Sequence, residues 1–165
     1  MKDQLKFLKR AADLALKSGC LRAKTGAVIV KSGQVLVETF NQVLPKNSSC
    51  LGRGCLRDKL RLGLGKEAEK CRSVHAEARA ICLAAQKGIC LSGATAYLTC
   101  QPCVNCAKLL YCVGVKAVYY LDRHADQTGE VFLKKMGLKC QKRKLRGDVS
   151  GKRLRDSSFQ GEKST

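Results

Sequence analysis

A three-layer α/β/α sandwich around a mixed five-stranded sheet is the fold class this sequence predicts, on three observations. A helical stripe opens the chain, a β-hairpin follows, and after a long irregular stretch helices and strands alternate to residue 144. Alternation of that kind joins parallel strands by crossover helices, whereas the opening hairpin must be antiparallel, so the sheet is mixed. At 165 residues and 45% hydrophobic content, the chain suits one compact domain, placed at 1–146.

Residues 3–17 set Leu5, Leu8, Ala12, Ala15 and Leu16 on one stripe with lysines opposite, the spacing of a core-facing amphipathic helix that Ser18-Gly19 ends. Residues 25–30 and 34–40 are short apolar runs joined by Lys31-Ser32-Gly33, a hairpin. From 41 to 74 there is no periodicity, and four glycines sit among dense charge. An irregular stretch of that length needs a function or a staple. A helix over 75–87 is expected, with Ser73 in its N-cap region and Gly88 as its stop. A strand near 94–98 leads into a helix over 103–112, opened by Pro102 at its first turn. A strand over 116–121, a helix over 127–136 and a last strand over 138–144 complete the domain. Residues 147–165, rich in Gly, Ser, Lys and Asp, predict a basic, disordered tail.

No run of eighteen apolar residues occurs, and lysines at 2, 6, 9 and 17 interrupt the N-terminal leucines. Neither a membrane-spanning helix nor a signal peptide is expected. Asp3 and Asp13 disfavour a mitochondrial presequence, so the expected location is cytoplasmic. In that compartment eleven cysteines read as metal ligands and buried thiols rather than disulfides. Cys82, Cys90, Cys112 and Cys140 fall among apolar neighbours and are expected to be buried. The net charge of +19 gathers in the first helix, in 46–72 and after 139. It implies an anionic partner. A nucleotide phosphate needs only two or three of those charges, so the surplus keeps nucleic acid open as a partner beside a small nucleotide. A solubilising tail is the plainer account, since aromatic residues for base stacking are sparse and the tail offers only Phe159.

His75-Ala76-Glu77 is followed, after 24 residues, by Pro102-Cys103-Val104-Asn105-Cys106. An open zinc site needs three protein ligands and a free fourth position, which His75, Cys103 and Cys106 supply. Alone, the Cys-X-X-Cys would read equally as a redox pair or half of a structural zinc knuckle. The His-X-Glu beside it favours the open site, because Glu77 is left to carry protons. Zinc lowers the pKa of water it binds to roughly 7, giving a nucleophile for an amidine-like carbon such as C4 of cytosine. One carboxylate can take the water's proton, pass it to a ring nitrogen and assist loss of the amine. The two motifs together are the signature of zinc nucleobase deaminases.

At these residues the chain resembles the cytidine deaminase-like superfamily and, within it, the deoxycytidylate deaminase branch that includes the late-competence ComEB-like proteins. The likeness runs from about Cys20 to Leu138, through Gly26 to Lys31, Asn41, Gly54 to Arg57, Cys71 to Glu77, Gly93 to Thr95 and Pro102 to Leu109. It implies a zinc-dependent hydrolase acting on C–N bonds of cyclic amidines: attack at C4 of dCMP breaks a C–N bond, giving dUMP and ammonia within pyrimidine nucleotide biosynthesis. A homo-oligomer is implied too. The resemblance further implies that Arg22 and Lys24 hold the substrate phosphate, that Asn41 bonds the sugar and that Ala76 contacts the substrate. The segment Tyr120 to His124 resembles the stretch that closes over the nucleotide. Cys20, Cys50, Cys55 and Cys71 match positions at which members of the branch hold a second, structural zinc. The chain departs from the branch at Phe40-Asn41-Gln42, at Pro45 and at Arg79, where asparagine is usual. Two alternatives stay open: a cytosine or adenosine deaminase acting on tRNA or single-stranded DNA, and an inactive, zinc-stabilised nucleic-acid-binding protein of the same fold.

Overall fold

Helix α1 (Lys2–Ala15) buries Phe7, Leu8, Ala11, Ala12 and Ala15 against one face of a sheet. Burial of Phe7 and Leu8 contributes about 1.5–3 kcal/mol each. The helix lies directly on the strand below it: a side-chain carbon at Gly26 would sit 2.0 Å from the Ala11 carbonyl oxygen, so only glycine permits that approach. The structure, a computed structural model, describes residues 2–45, 48–63, 67–124 and 126–145. The expected tail at 147–165 lies outside them.

Strands β1 (Gly26–Lys31) and β2 (Gln34–Phe40) form the expected antiparallel hairpin. β5 (Thr95–Cys100) pairs antiparallel with β1, and β6 (Ala117–Asp122) and β7 (Lys139–Lys142) follow in parallel, giving the order β2-β1-β5-β6-β7. Helices α4 (Ala76–Gln86), α5 (Val104–Cys112) and α6 (Thr128–Lys135) cover the other face. This is the predicted three-layer sandwich with a mixed five-stranded sheet. The buried stripe of α4 is Ala76, Ala80 and Ala84, small residues that seat the helix close to the sheet. No helix among the described residues is long and apolar enough to cross a membrane.

Three expectations need correction. The stretch 41–74 is not structureless: it holds β3 (Gln42–Val43), α2 (Cys50–Arg53), α3 (Leu56–Lys59), a 3-10 turn at Ala68–Lys70 and β4 (Ser73–Val74). These are too short to show periodicity, and β3 is completed by β4 from the far end of the segment, Gln42 opposite Val74. Ser73 therefore belongs to a strand, and His75 is the N-cap of α4. Cys82, Cys90 and Cys112 are exposed, and only Cys140 of that group is buried. Cys82 and Cys112 lie on the exposed sides of α4 and α5, and Cys90 lies in the loop between α4 and β5.

Candidate active site

Two helix starts converge at the C-terminal end of β5, the end of a parallel sheet where ligands bind in open α/β folds. His75 is the N-cap of α4 and Cys103 the N-cap of α5, both in extended backbone conformation. Pro102 stands just before that cap rather than inside the first turn. Cys106 follows one turn into α5, on the same face as Cys103. The positive ends of both helix dipoles favour thiolates here.

Both cysteine sulfurs lie 3.5 Å from Nδ1 of His75. Zinc bonds of about 2.3 Å to sulfur and about 2.0 Å to nitrogen, at a tetrahedral angle, would separate such atoms by about 3.5 Å. The three ligand atoms all fall within 4.8 Å of one another, and among the described residues no other group of three metal-ligating side chains does so. The donors thus fit a zinc ion. Hydrogen bonding from Cys106, against burial and with help from His75, pulls the Cys103 thiol down to about 3. Cys106 is pushed up by that same thiolate and by burial. The hydrogen bond to Cys103 raises His75, against its burial.

Glu77, in the first turn of α4, is 7% exposed. Burial raises its carboxyl above the usual carboxylate range, although His75 pulls the other way. Ala76 is 1% exposed and its methyl belongs to the core. Any substrate contact at Ala76 is left to its backbone.

Asn41 is 5% exposed. Its Oδ1 accepts from the Thr25 amide, and its Nδ2 donates to the Ala23 carbonyl and approaches Ser73 Oγ. The amide therefore braces the loop before β1. Arg22, expected at the substrate phosphate, has its Nε paired with Asp58 at 2.8 Å and its NH2 donating to the Leu62 carbonyl. Its side chain is only 11% exposed, so it ties the first loop to α3. Lys24, half-buried, forms no ion pair among the described residues. His124 accepts from the Asp126 amide within its own turn.

Arg79, the departure from the family pattern, donates to Thr39 Oγ1 and to the Phe40 carbonyl, with its guanidinium 4.9 Å from the Phe40 ring. It fastens α4 to the end of β2. Of the four further cysteines, Cys20, Cys50 and Cys55 are buried and Cys71 half-buried. Burial and then the nearby Cys20 and Cys55 raise the Cys50 thiol, with a smaller effect from Cys71. The four gather in one region, but no three of their sulfurs close to 4.8 Å.

Two contributors escaped the sequence. Arg57, on α3, lies close enough to His75 to lower its pKa. Gly129, in the first turn of α6, abuts the ligand loop: a side-chain carbon there would meet the Pro102 carbonyl oxygen at 2.1 Å and the Cys103 carbonyl carbon at 2.9 Å. No sequence signal marked Gly129, because its partner lies on another helix.

The chain is similar to several known proteins. ComE operon protein 2 of Bacillus subtilis is 31% identical over 116 residues, covering 70% of this chain and 57% of that protein. A probable deoxycytidylate deaminase of Drosophila melanogaster is 47% identical over 62 residues, 37% of this chain and 30% of its own length. The chain thus spans only part of the curated relatives it matches. Among solved structures, a dCMP deaminase from the cyanophage S-TIM5, in complex with dCMP and dUMP, superposes with a TM-score of 0.68 at 26% identity. It covers 84% of this chain and 94% of its own. The profile of the cytidine and deoxycytidylate deaminase zinc-binding region matches residues 1–122, which take in His75, Glu77, Cys103 and Cys106, and the chain belongs to that family.

Proposed function

We propose that the protein hydrolyses dCMP to dUMP and ammonia, with His75, Cys103 and Cys106 holding one catalytic zinc. The observation that carries this reading is the pairing of three ligand atoms at zinc spacing with a buried carboxylate one turn away. A zinc ion bound there supplies a nucleophilic water at neutral pH. Glu77 is the carboxylate that would accept the proton of the attacking water as the water's oxygen bonds to C4. The same carboxylate hands the proton to the ring nitrogen and then assists the amine as the C4–N bond breaks. One water is consumed and one ammonia leaves. Burial of Glu77 suits this duty, since a proton shuttle works best with a pKa moved toward neutrality.

Lys24 and Arg57 are the cations proposed to meet the substrate phosphate, with Arg22 supporting them through Asp58. Asn41 orients the loop that carries Lys24. Because Arg79 is turned onto β2, its presence gives no reason to expect a polynucleotide in the catalytic site. A second, structural zinc among Cys20, Cys50, Cys55 and Cys71 is proposed to fasten the 42–74 segment, supported by the proximity of the other three thiols to Cys50.

A substrate panel tests the reading. Zinc-loaded protein should release ammonia from dCMP, whereas turnover confined to tRNA or single-stranded DNA would overturn it. Glu77→Gln should keep one zinc at the catalytic ligands and lose activity by about 100-fold or more. Substantial activity in that variant would reassign the proton shuttle.

A further inference from the structure

We propose that a cleft at the far end of the sheet from the candidate active site is a docking groove for the phosphate backbone of a single-stranded polynucleotide. The cleft measures about 500 Å³, and three lysines from separate elements line it: Lys6 of α1, Lys31 at the end of β1 and Lys116 just before β6. None of the three forms an ion pair among the described residues. Asp3 is the one carboxylate on the wall. The candidate active site lies beyond the opposite ends of β5 and β6, roughly 17 Å away along a six-residue strand. A ligand in the cleft would not touch the reacting atoms, and the proposal does not rest on the deaminase reading.

The floor continues outward as a row of rings. Phe7 lies 5.1 Å from Tyr97, and Tyr97 stacks on Tyr119 at 5.6 Å. Cations follow the row: Lys6 is 5.8 Å from the Phe7 ring, while Lys139 and Arg143 are 6.0 and 4.9 Å from the Tyr119 ring. Lys6 at one end of the row and Lys139 and Arg143 at the other thus spread the charge over three rings, with Arg143 also donating to the side chains of Gln4 and Gln141. That arrangement suits successive phosphates better than a single phosphate group. The rings are 6–7% exposed, so they support the cations and leave little face for a base. Recognition through phosphates alone is independent of sequence and strongly salt-dependent. The net charge of +19 also exceeds what one nucleotide needs.

The test uses the full chain and a fluorescein-labelled 20-nucleotide oligothymidine, with anisotropy measured across a salt series. Lys6→Gln, Lys31→Gln and Lys116→Gln are combined in one variant. A control combines Lys87→Gln, Lys108→Gln and Lys135→Gln, which remove equal charge from exposed positions on the helical layer opposite α1. Each single-strand phosphate contact contributes about 0.7 to the slope of log Kd against log salt. The cleft variant should therefore lower the slope by about 2 and bind about 100-fold more weakly at 0.1 M salt. The control should keep its slope, because charges beyond about 10 Å are screened at 0.1 M. Equal losses in both variants, or no salt-dependent binding by the unaltered protein, would overturn the proposal. So would displacement of the oligonucleotide by stoichiometric ATP, which would make the cleft a small-polyphosphate site. Should the triple variant melt early, Lys31→Gln and Lys116→Gln singly should each lower the slope by about 0.7; unchanged slopes would count against the groove.

Discussion

At the scale of single residues, Gly129 shows how little room the ligand loop has. Its missing side chain lets α6 rest on the Pro102 and Cys103 backbone, and both contacts are main-chain atoms that no rotamer change can relieve. Gly129→Ala should push the Cys103 turn outward and weaken zinc binding by about 10- to 100-fold, the range for lost support behind metal ligands. Chelator competition would measure this, and the visible spectrum of the cobalt-substituted protein should broaden. Gly52→Ala, where an added carbon meets nothing within 4 Å, is the matched control. Unchanged affinity in Gly129→Ala would deny it a positioning role. The clustering of His75, Cys103 and Cys106 was legible in the sequence, because both motifs stand at the starts of the helices expected over 75–87 and 103–112. The fates of Arg22 and Asn41 were not, since Asp58, Leu62, Thr25 and Ala23 come into reach only after folding.

At the scale of elements, β6 and α6 are joined by a buried hydrogen bond. The Tyr120 hydroxyl donates to Glu130 at 2.6 Å, and Lys134 pairs with the same carboxylate at 2.7 Å. Burial opposes ionisation of Glu130, but Lys134 and Tyr120 outweigh it and hold the carboxyl below its ordinary value. A carboxylate with a lowered folded pKa contributes stability above its unfolded value of about 4.3, and loses it as pH falls through the folded value. Tyr120→Phe should therefore cost about 1–3 kcal/mol at neutral pH. The gap in Tm between the two proteins should narrow below about pH 4. A gap that stays constant to pH 3 would mean the ionised carboxylate is not what the hydroxyl stabilises. The long elements were readable from periodicity, whereas 42–74 was not: its pieces of two to four residues exist through partners such as Val74 and through the Ser49 side chain that caps α2.

At the scale of the whole molecule, the sandwich separates two chemistries. Thiols, His75 and Glu77 occupy one end of the sheet, and lysines that form no ion pair among the described residues occupy the other. The three layers and the parallel pairing of the later strands followed from the alternation of elements, because crossover connections leave few arrangements. Exposure of Cys82, Cys90 and Cys112 did not follow, since it depends on what covers the outer helices. The four-cysteine region bears on the whole chain, because it ties the loop after α1 to the segment before α4. Native mass spectrometry should find two zinc ions per chain, falling to one in Cys55→Ser with dCMP turnover retained. A single ion in the unaltered protein would remove the structural zinc.

The placement of β5 also sets when the centre can come into being. His75 and Cys106 stand 31 residues apart, and between them the chain must complete α4, turn, and lay β5 alongside β1. On a growing polypeptide the imidazole is ready long before its sulfurs, so a nascent chain ending at residue 100 would carry Glu77 and His75 with no cage around them. A metal centre built from these three residues would therefore be completed only once the central strand has found its place.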